Sequence, residues 1–353
     1  MLVPLAASIL LGVVARADDL QGDLSPKEQE VWQRLQKSFA TLQVRGVPSG
    51  TAALIDQSGL YLAHQTSVDS TPDGPAVYGT LSNGKSLRFA VIGKDSLTKL
   101  TLLQAIGWQS EYGTPVRVPV GDEVGHGMVF AVLPNGPIRA AFTKLNFAGL
   151  VREERRIIPL NEVQFEAPEG GCAGALLIDE DGELLGVLNA TLSKDDLVSA
   201  QAPVTALSGG FGGGGRGPTY AAANSVARVL RGRGQMSPAN LTVAYTAGVA
   251  VLKRVVEGFR SPSHHVAYPS LGLLCIDAPR TGGALVQAVQ PASPADIAGI
   301  RVGDVLTMIA GVQIRNQVDF AMVMLDQTPG DTIVVQYHRR ARNLVQPVVV
   351  GHS

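Results

Sequence analysis

Glu169-Gly170-Gly171-Cys172-Ala173-Gly174-Ala175-Leu176-Leu177 is the stretch whose reading decides how the rest of this chain is understood. A tight glycine turn running straight into an apolar strand presents the side chain at its tip beside backbone N–H groups that can hold an oxyanion. The tip residue is Cys172, and the candidate oxyanion donors are the N–H groups of Gly170, Gly171 and Cys172. Cys172 is thus either a working nucleophile or the residue that stands where one used to be.

On both sides of this turn, from Ser49 to Leu188, the chain is a succession of short β-type runs. They are Ala52–Ile55, Leu60–Leu62, Ser86–Ile92, Leu100–Leu103, Gly127–Leu133, Ala175–Ile178 and Leu184–Leu188. Asp56-Gln57-Ser58-Gly59, Ser82-Asn83-Gly84 and Asp179-Glu180-Asp181-Gly182 are hairpin connections. Many short strands with no alternating helices imply antiparallel barrels rather than a doubly wound sheet.

Downstream, SGGFGGGGRGP at 208–218 is a low-complexity glycine loop. The stretch Thr219–Leu230 reads as strand and helix, so the glycine loop belongs inside the domain. Ser237-Pro238 opens an expected helix ending near Lys253-Arg254, followed by a loop with His264 and His265. Two adjacent loop histidines with no further ligand nearby do not make a metal site, and no metal or cofactor is expected. A compact module then follows. Leu271–Ile276, Leu285–Val289 and Val305–Ile309 read as strands, Ser293-Pro294 caps a short helix stopping at Gly299, Asn316 caps a helix over Val318–Leu325, and Ile333–Tyr337 and Leu344–Val350 finish it.

Upstream, Ser25-Pro26-Lys27-Glu28 is a capping box with proline at the first helical position. Val31, Leu35, Phe39 and Leu42 continue at helical spacing, which predicts an amphipathic helix of about five turns. Its apolar stripe is expected to pack on the following domain, with homo-oligomer contacts through Trp32 or Phe39 as the alternative. The apolar run 2–15, closed by Ala15-Arg16-Ala17, reads as a cleaved signal peptide, short for a span of about 20 residues. An uncleaved anchor is the competing reading.

Of the 353 residues, 45% are hydrophobic and 17% charged, enough apolar material for sizeable cores, and the length suggests two domains. A formal net charge of −1 leaves no electrostatic footprint for nucleic acid. In an oxidising compartment Cys172 and Cys275 have the option of pairing, but each is flanked by apolar residues in a different module, so two unpaired thiols are expected.

Together these pieces resemble the HtrA family of extracytoplasmic serine proteases. The family's GSGFIxxxGxIxTNAHVV appears as SGTAALIDQSGLYLAHQTSV, with His64 at the catalytic histidine. TLxDGxxxxAxVxGxDxxxDLALLK appears as TLSNGKSLRFAVIGKDSLTKLTLLQ, with Lys99 at the catalytic aspartate and Asp95 at an earlier, non-catalytic one. GNSGGPLxxxxGxxxGxN appears as GGCAGALLIDEDGELLGVLN, with Cys172 at the serine and Ala173 at a glycine. FAIPSNxVxxVL appears as YAAANSVARVL from Tyr220, and SPAxxAGLxxGDVIxxxxG as SPADIAGIRVGDVLTMIAG from Ser293.

The resemblance implies a mainly β chain. A trypsin-like double β-barrel at 47–232 follows the signal peptide (1–17) and the N-terminal amphipathic helix (18–46), and a helical linker (233–266) leads to a PDZ domain with two short helices (267–353). It implies export to a periplasm or cell envelope. It also implies binding of peptide or unfolded-protein C-termini by Ser270, Leu271, Gly272 and Leu273, with Met322 lining an apolar pocket. Lys99 offers no acceptor and disfavours an imidazolium, so serine-type catalysis should be dead. Lys99 itself is expected to snorkel to solvent. A thiol ionises more readily than a hydroxyl, which keeps a weak Cys172–His64 endopeptidase as the alternative to a pseudoprotease.

Overall fold

The computed structural model describes residues 24–68, 77–119, 126–151, 156–166, 174–189, 197–199, 241–278 and 281–352. The signal-peptide reading, Gly170, Gly171, Cys172, the glycine loop and the segment from Tyr220 lie outside these residues.

The chain begins with helix α1 (Pro26–Leu35), whose capping box forms as the sequence predicts: Ser25 Oγ accepts from the Glu28 N–H and Glu28 reaches back to the Ser25 N–H. The helix is shorter than five turns. After one 3₁₀ turn the chain becomes strand β1 (Phe39–Val44), which pairs with β2 (Val47–Asp56) and β4 (Val77–Leu81). Barrel closure, with Ala40 and Leu42 fully buried inside, wins over the continued helical spacing of Phe39 and Leu42. With β3 (Leu60–His64), β5 (Ser86–Lys94) and β6 (Leu100–Ile106) these strands form a closed barrel in the order β1-β2-β3-β6-β5-β4. The first barrel therefore starts at Phe39 rather than at 47.

A second antiparallel sheet comprises β7 (His126–Leu133), β8 (Gly136–Val151), β9 (Arg156–Glu166), β10 (Leu176–Ile178), β11 (Leu184–Val187), β12 (Leu197–Ser199) and β13 (Leu241–Ala247). Its order is β11-β10-β7-β8-β9-β13, with β12 on β8. Strand β13 places the end of this unit past 232, inside the expected linker. The linker helix is α2 (Val249–Arg260), beginning at Gly248 instead of Ser237-Pro238, because seven residues before it are paired to β9.

The third unit contains β14 (Pro269–Ser270), β15 (Leu273–Asp277), β16 (Ala284–Val289), the short helix α3 (Pro294–Ile297), β17 (Val305–Ile309), β18 (Val312–Gln313), helix α4 (Gln317–Leu325), β19 (Thr332–Arg339), β20 (Arg342–Val349) and β21 (Gly351–His352). Its sheet runs β15-β16-β17-β19-β20, and β14 pairs with β21.

One apolar core fills the space between the two barrels and takes in Val31 of α1, Leu252, Val255, Val256 and Phe259 of α2, and Tyr268. Each barrel has its own interior core, and the third unit has a fourth. The units also meet through α2. Arg260 donates to the Ile55 carbonyl, and Arg254 donates to the carbonyls of Leu325 (2.6 Å) and Gln327 (3.2 Å) at the end of α4. Leu325 packs against the inter-barrel core. No helix among the described residues is long and apolar enough to cross a membrane.

Candidate functional site

His64 ends β3 and is fully buried, held between β2 and β6, where it lies opposite Leu100. The tight turn Ser96–Lys99 leads into β6, with Lys99 in the left-handed region at φ 59° and its carbonyl accepting from the Gln65 N–H at 2.7 Å. His64 and Lys99 are thus neighbours, as the motif alignment requires. Lys99 is half-buried. Its charge acts on the imidazole, because burial lowers the His64 pKa and the Lys99 ammonium lowers it further, while the Asn189 side chain opposes both.

The hydrogen bonds of His64 are local. Its Nδ1 lies 2.8 Å from Thr66 Oγ1 and accepts from the Thr66 backbone N–H at 3.3 Å, so the imidazole caps the 3₁₀ turn Gln65–Ser67. Where the Thr66 N–H bond is kept, Nδ1 carries no proton and the ring proton is on Nε2; the shorter Thr66 Oγ1 contact fits either tautomer. Nε2 is buried and meets no hydrogen-bond partner among the described residues. A triad histidine needs the reverse arrangement, a proton on Nδ1 held by a carboxylate and a bare Nε2 facing the nucleophile.

Asp95 does not substitute for the missing carboxylate. Its Oδ2 accepts from the Thr98 N–H (2.8 Å), from Thr98 Oγ1 (2.5 Å) and from the Tyr268 hydroxyl (3.0 Å). Asp95 and Tyr268 are both buried, and burial followed by the Asp95 charge drives the Tyr268 hydroxyl well above the ordinary tyrosine pKa. The Arg156 guanidinium lies 5.5 Å from the Tyr268 ring centroid. A polar seam therefore joins the first barrel, the second barrel and the residue just before β14.

Cys172 lies outside the described residues, but the turn that carries it re-enters at Gly174. Gly174 has φ 76°, donates its N–H to the Leu188 carbonyl, and is so close to the histidine segment that a Cβ would lie 2.8 Å from Ser67 Oγ and 3.0 Å from His64 Cβ. Thr66, Ser67 and Asn189 thus belong to the site, although the motif reading gave them no role. Only Asn189, the last residue of the glycine-turn motif, had any signal in the sequence.

In the third unit, β15 is an end strand of its sheet, and α4 packs beside it and against β9. Gly272, at φ 73°, makes the turn before β15. A Cβ there would lie 2.2 Å from Ser293 Cβ, and its N–H donates to Ser270 Oγ at 3.1 Å. Leu273 is half-buried at the mouth of this turn. Leu271, also expected near the pocket, is buried in the unit's core, against which Leu273 packs. Met322 is half-buried and stands one helical turn before Leu325. The His264-His265 segment packs on the first barrel, with the His264 carbonyl against Gly93. Cys275 is a free, buried thiol whose pKa burial pushes up to about 12. Among the described residues no three His, Cys, Asp or Glu side chains come together as metal ligands would.

Residues 269–347 match the PDZ domain family. The chain is 22% identical over 308 residues to a "Serine protease Do-like HtrA" of Lactobacillus helveticus, covering 84% of this chain and 66% of that one. It is 20% identical over 303 residues to the protein of the same name from Lactococcus lactis subsp. cremoris, covering 77% and 63%. The chain thus spans somewhat less than two thirds of the length of these curated relatives. Among solved structures, an HtrA-type protease AlgW with a decapeptide superposes with TM-score 0.62 at 15% identity, covering 94% of this chain and 99% of that one. The serine endoprotease from Yersinia pestis gives 0.57 at 14%, covering 94% and 100%.

Proposed function

We propose that this chain, an HtrA-family protein in which a trypsin-like double barrel carries a PDZ domain, is an exported peptide-binding pseudoprotease. The observation that carries the proposal is the state of His64. Its Nδ1 is engaged by Thr66, and a lysine stands where the orienting carboxylate belongs. Replacing that aspartate even by asparagine costs serine proteases about four orders of magnitude in rate. Here a cation adds electrostatic opposition to the imidazolium that proton transfer would create.

Peptide binding needs none of this chemistry. The open edge of β15 and the Ser270–Leu273 turn support capture of an extended C-terminal peptide by strand addition, with main-chain pairing for affinity and the carboxylate received at the turn. In the envelope compartment such a protein would hold exposed C-termini of unfolded chains. The test is a titration of the full chain with apolar-ended peptides as free acids and as C-terminal amides, alongside casein digestion. Free acids should bind at least about tenfold tighter than amides, with casein left intact. Equal affinity for both forms, or no binding, removes the carboxylate-binding reading.

A second reading, a Cys172–His64 endopeptidase, is favoured by the close approach of Gly174 to His64. It requires a thiolate–imidazolium pair, which the lowered His64 pKa disfavours. Casein cleavage abolished by Cys172→Ala and by a thiol alkylator would establish it.

A further inference from the structure

The sheet of the third unit has two faces of different character. In β19, Ile333, Val335 and Tyr337 point inward to the unit's core, so Val334 and its alternate neighbours point outward. In β20 the outward residues Val345, Pro347 and Val349 lie directly opposite Gln336, Val334 and Thr332, and Met308 of β17 continues the same face on the other side of Gln336. Val334, Val345 and Val349 are 46%, 57% and 56% exposed, so nothing among the described residues covers them. Both helices are on the inner side: Ala295 of α3 and Val323 and Met324 of α4 belong to the core, and α4 is the element that touches β9. The apolar outer face is therefore turned away from the barrels, and a contiguous face of this kind marks an interaction surface. Trp32 and Phe39, the oligomer contacts considered from the sequence, are stacked on each other against the inter-barrel core.

We propose that this outer face is where two copies of the chain pack sheet on sheet about a two-fold axis running across the strands. Charge selects the partner and its direction. Arg340 and Arg342 are exposed at the hairpin end of the face, where Arg301 joins them through the Asp304 turn, and Asp331 is exposed at the opposite end. An axis along the strands would set arginines on arginines. An axis across them sets each copy's arginine end over its partner's Asp331, with Val334 and Val345 near the centre. Joining the sheets edge to edge through β20, the end strand, is opposed by Pro347, which has no N–H to offer and interrupts the ladder a second strand would need. Five strands about 4.8 Å apart and about 20 Å long give a face of about 500 Å². That is below the about 800 Å² per partner of a standard interface, so the dimer is weak, with a dissociation constant on the order of micromolar.

Self-association at this face is independent of peptide capture at the edge of β15, and the two fail separately. Sedimentation velocity of the full chain from about 1 to about 200 µM should show a doubling of mass. Val345→Lys alters an exposed side chain, so it should leave the unfolding temperature close to that of wild type. It should weaken the doubling at least about tenfold, because the dimer would bury an unpaired ammonium. Arg342→Glu alone should weaken association about threefold or more. Arg342→Glu combined with Asp331→Arg should recover it to within about threefold of wild type, which only the crosswise meeting of the ends predicts. Wild type that never doubles would leave the face to a different protein and overturn the proposal, as would a doubling that survives Val345→Lys in the folded variant. A doubling removed by Val345→Lys but not recovered by the charge swap would overturn the crosswise arrangement.

Discussion

Removing the hydroxyl of Tyr268 should loosen the junction between barrel and PDZ domain by a predictable amount. The hydroxyl donates to Asp95 Oδ2 at 3.0 Å in a buried setting, and the same oxygen keeps two bonds from Thr98 when Tyr268 becomes phenylalanine. The ring, and the Arg156 guanidinium near it, can stay in place, so no cavity opens. What is lost is one hydrogen bond to a charged acceptor, worth about 1.5–3 kcal/mol. Because Asp95 remains bonded, Tyr268→Phe should cost about 2 kcal/mol or a little less. Asp95→Ala strands three buried donors and should cost more, about 3 kcal/mol or above. Guanidinium unfolding followed by the fluorescence of Trp32 and Trp108 measures both, with limited proteolysis of the 261–268 segment as a local readout.

The pH dependence sharpens the test. Tyr268 stays protonated in the folded protein at pH values where the unfolded residue ionises, so its contribution is complete below about pH 10 and is lost as pH rises above that. The gap between wild type and Tyr268→Phe should therefore be constant to about pH 10 and narrow beyond it. A variant within about 0.5 kcal/mol of wild type, with unchanged proteolysis, would refute the claim that this bond secures the seam.

Two further outcomes follow from buried titratable groups. Because the pKa of His64 is lowered by folding, the unfolded chain takes up a proton below about pH 6.5 that the native site resists, so stability should fall from there downward. His64→Gln should flatten that part of a pH series of denaturant midpoints, and an unaltered slope would count against the burial argument. Cys275, with its pKa pushed up to about 12, should resist iodoacetamide at pH 8 in the native protein and react on unfolding. Mass spectrometry after timed alkylation reads this directly, and labelling at the rate of a free thiol would mean that β15 opens.

Much of the architecture could be read from residue patterns because its turns are chemically explicit. Gly59, Gly84 and Gly182 all adopt positive φ at the hairpins where Asp, Ser and Asn precede them. Strands β8 and β9 were missed for physical reasons. In β9, Pro159 reads as a strand breaker, yet it sits beside the register shift between Lys144 and Ala148, where the ladder is already interrupted, and its carbonyl accepts from the Gly248 N–H. The extent of α1 was misjudged because Phe39 and Leu42 suit a helix stripe and a barrel strand equally, and only pairing with β2 and β4 decides between them. At the site, the motif alignment set His64 against Lys99, and the two residues are neighbours in the structure. Nothing in it could show that Thr66, two residues away, would claim the imidazole, because such a bond depends on the local turn and not on residue spacing.

The grip of Arg254 on the last turn of α4 has a practical corollary for anyone wishing to dissect or re-engineer this protein. One wall of the proposed peptide groove has its end carbonyls satisfied by a side chain from the linker helix, and its terminal leucine packs against the core shared by the barrels. A fragment cut at residue 267 would leave that arginine behind and expose Leu325, so its ligand preferences would describe a relaxed groove instead of the native one. A foreign PDZ domain grafted at the same boundary would likewise arrive without its clamp. Transplants meant to change which peptides are recognised should therefore carry the whole of α2 with them.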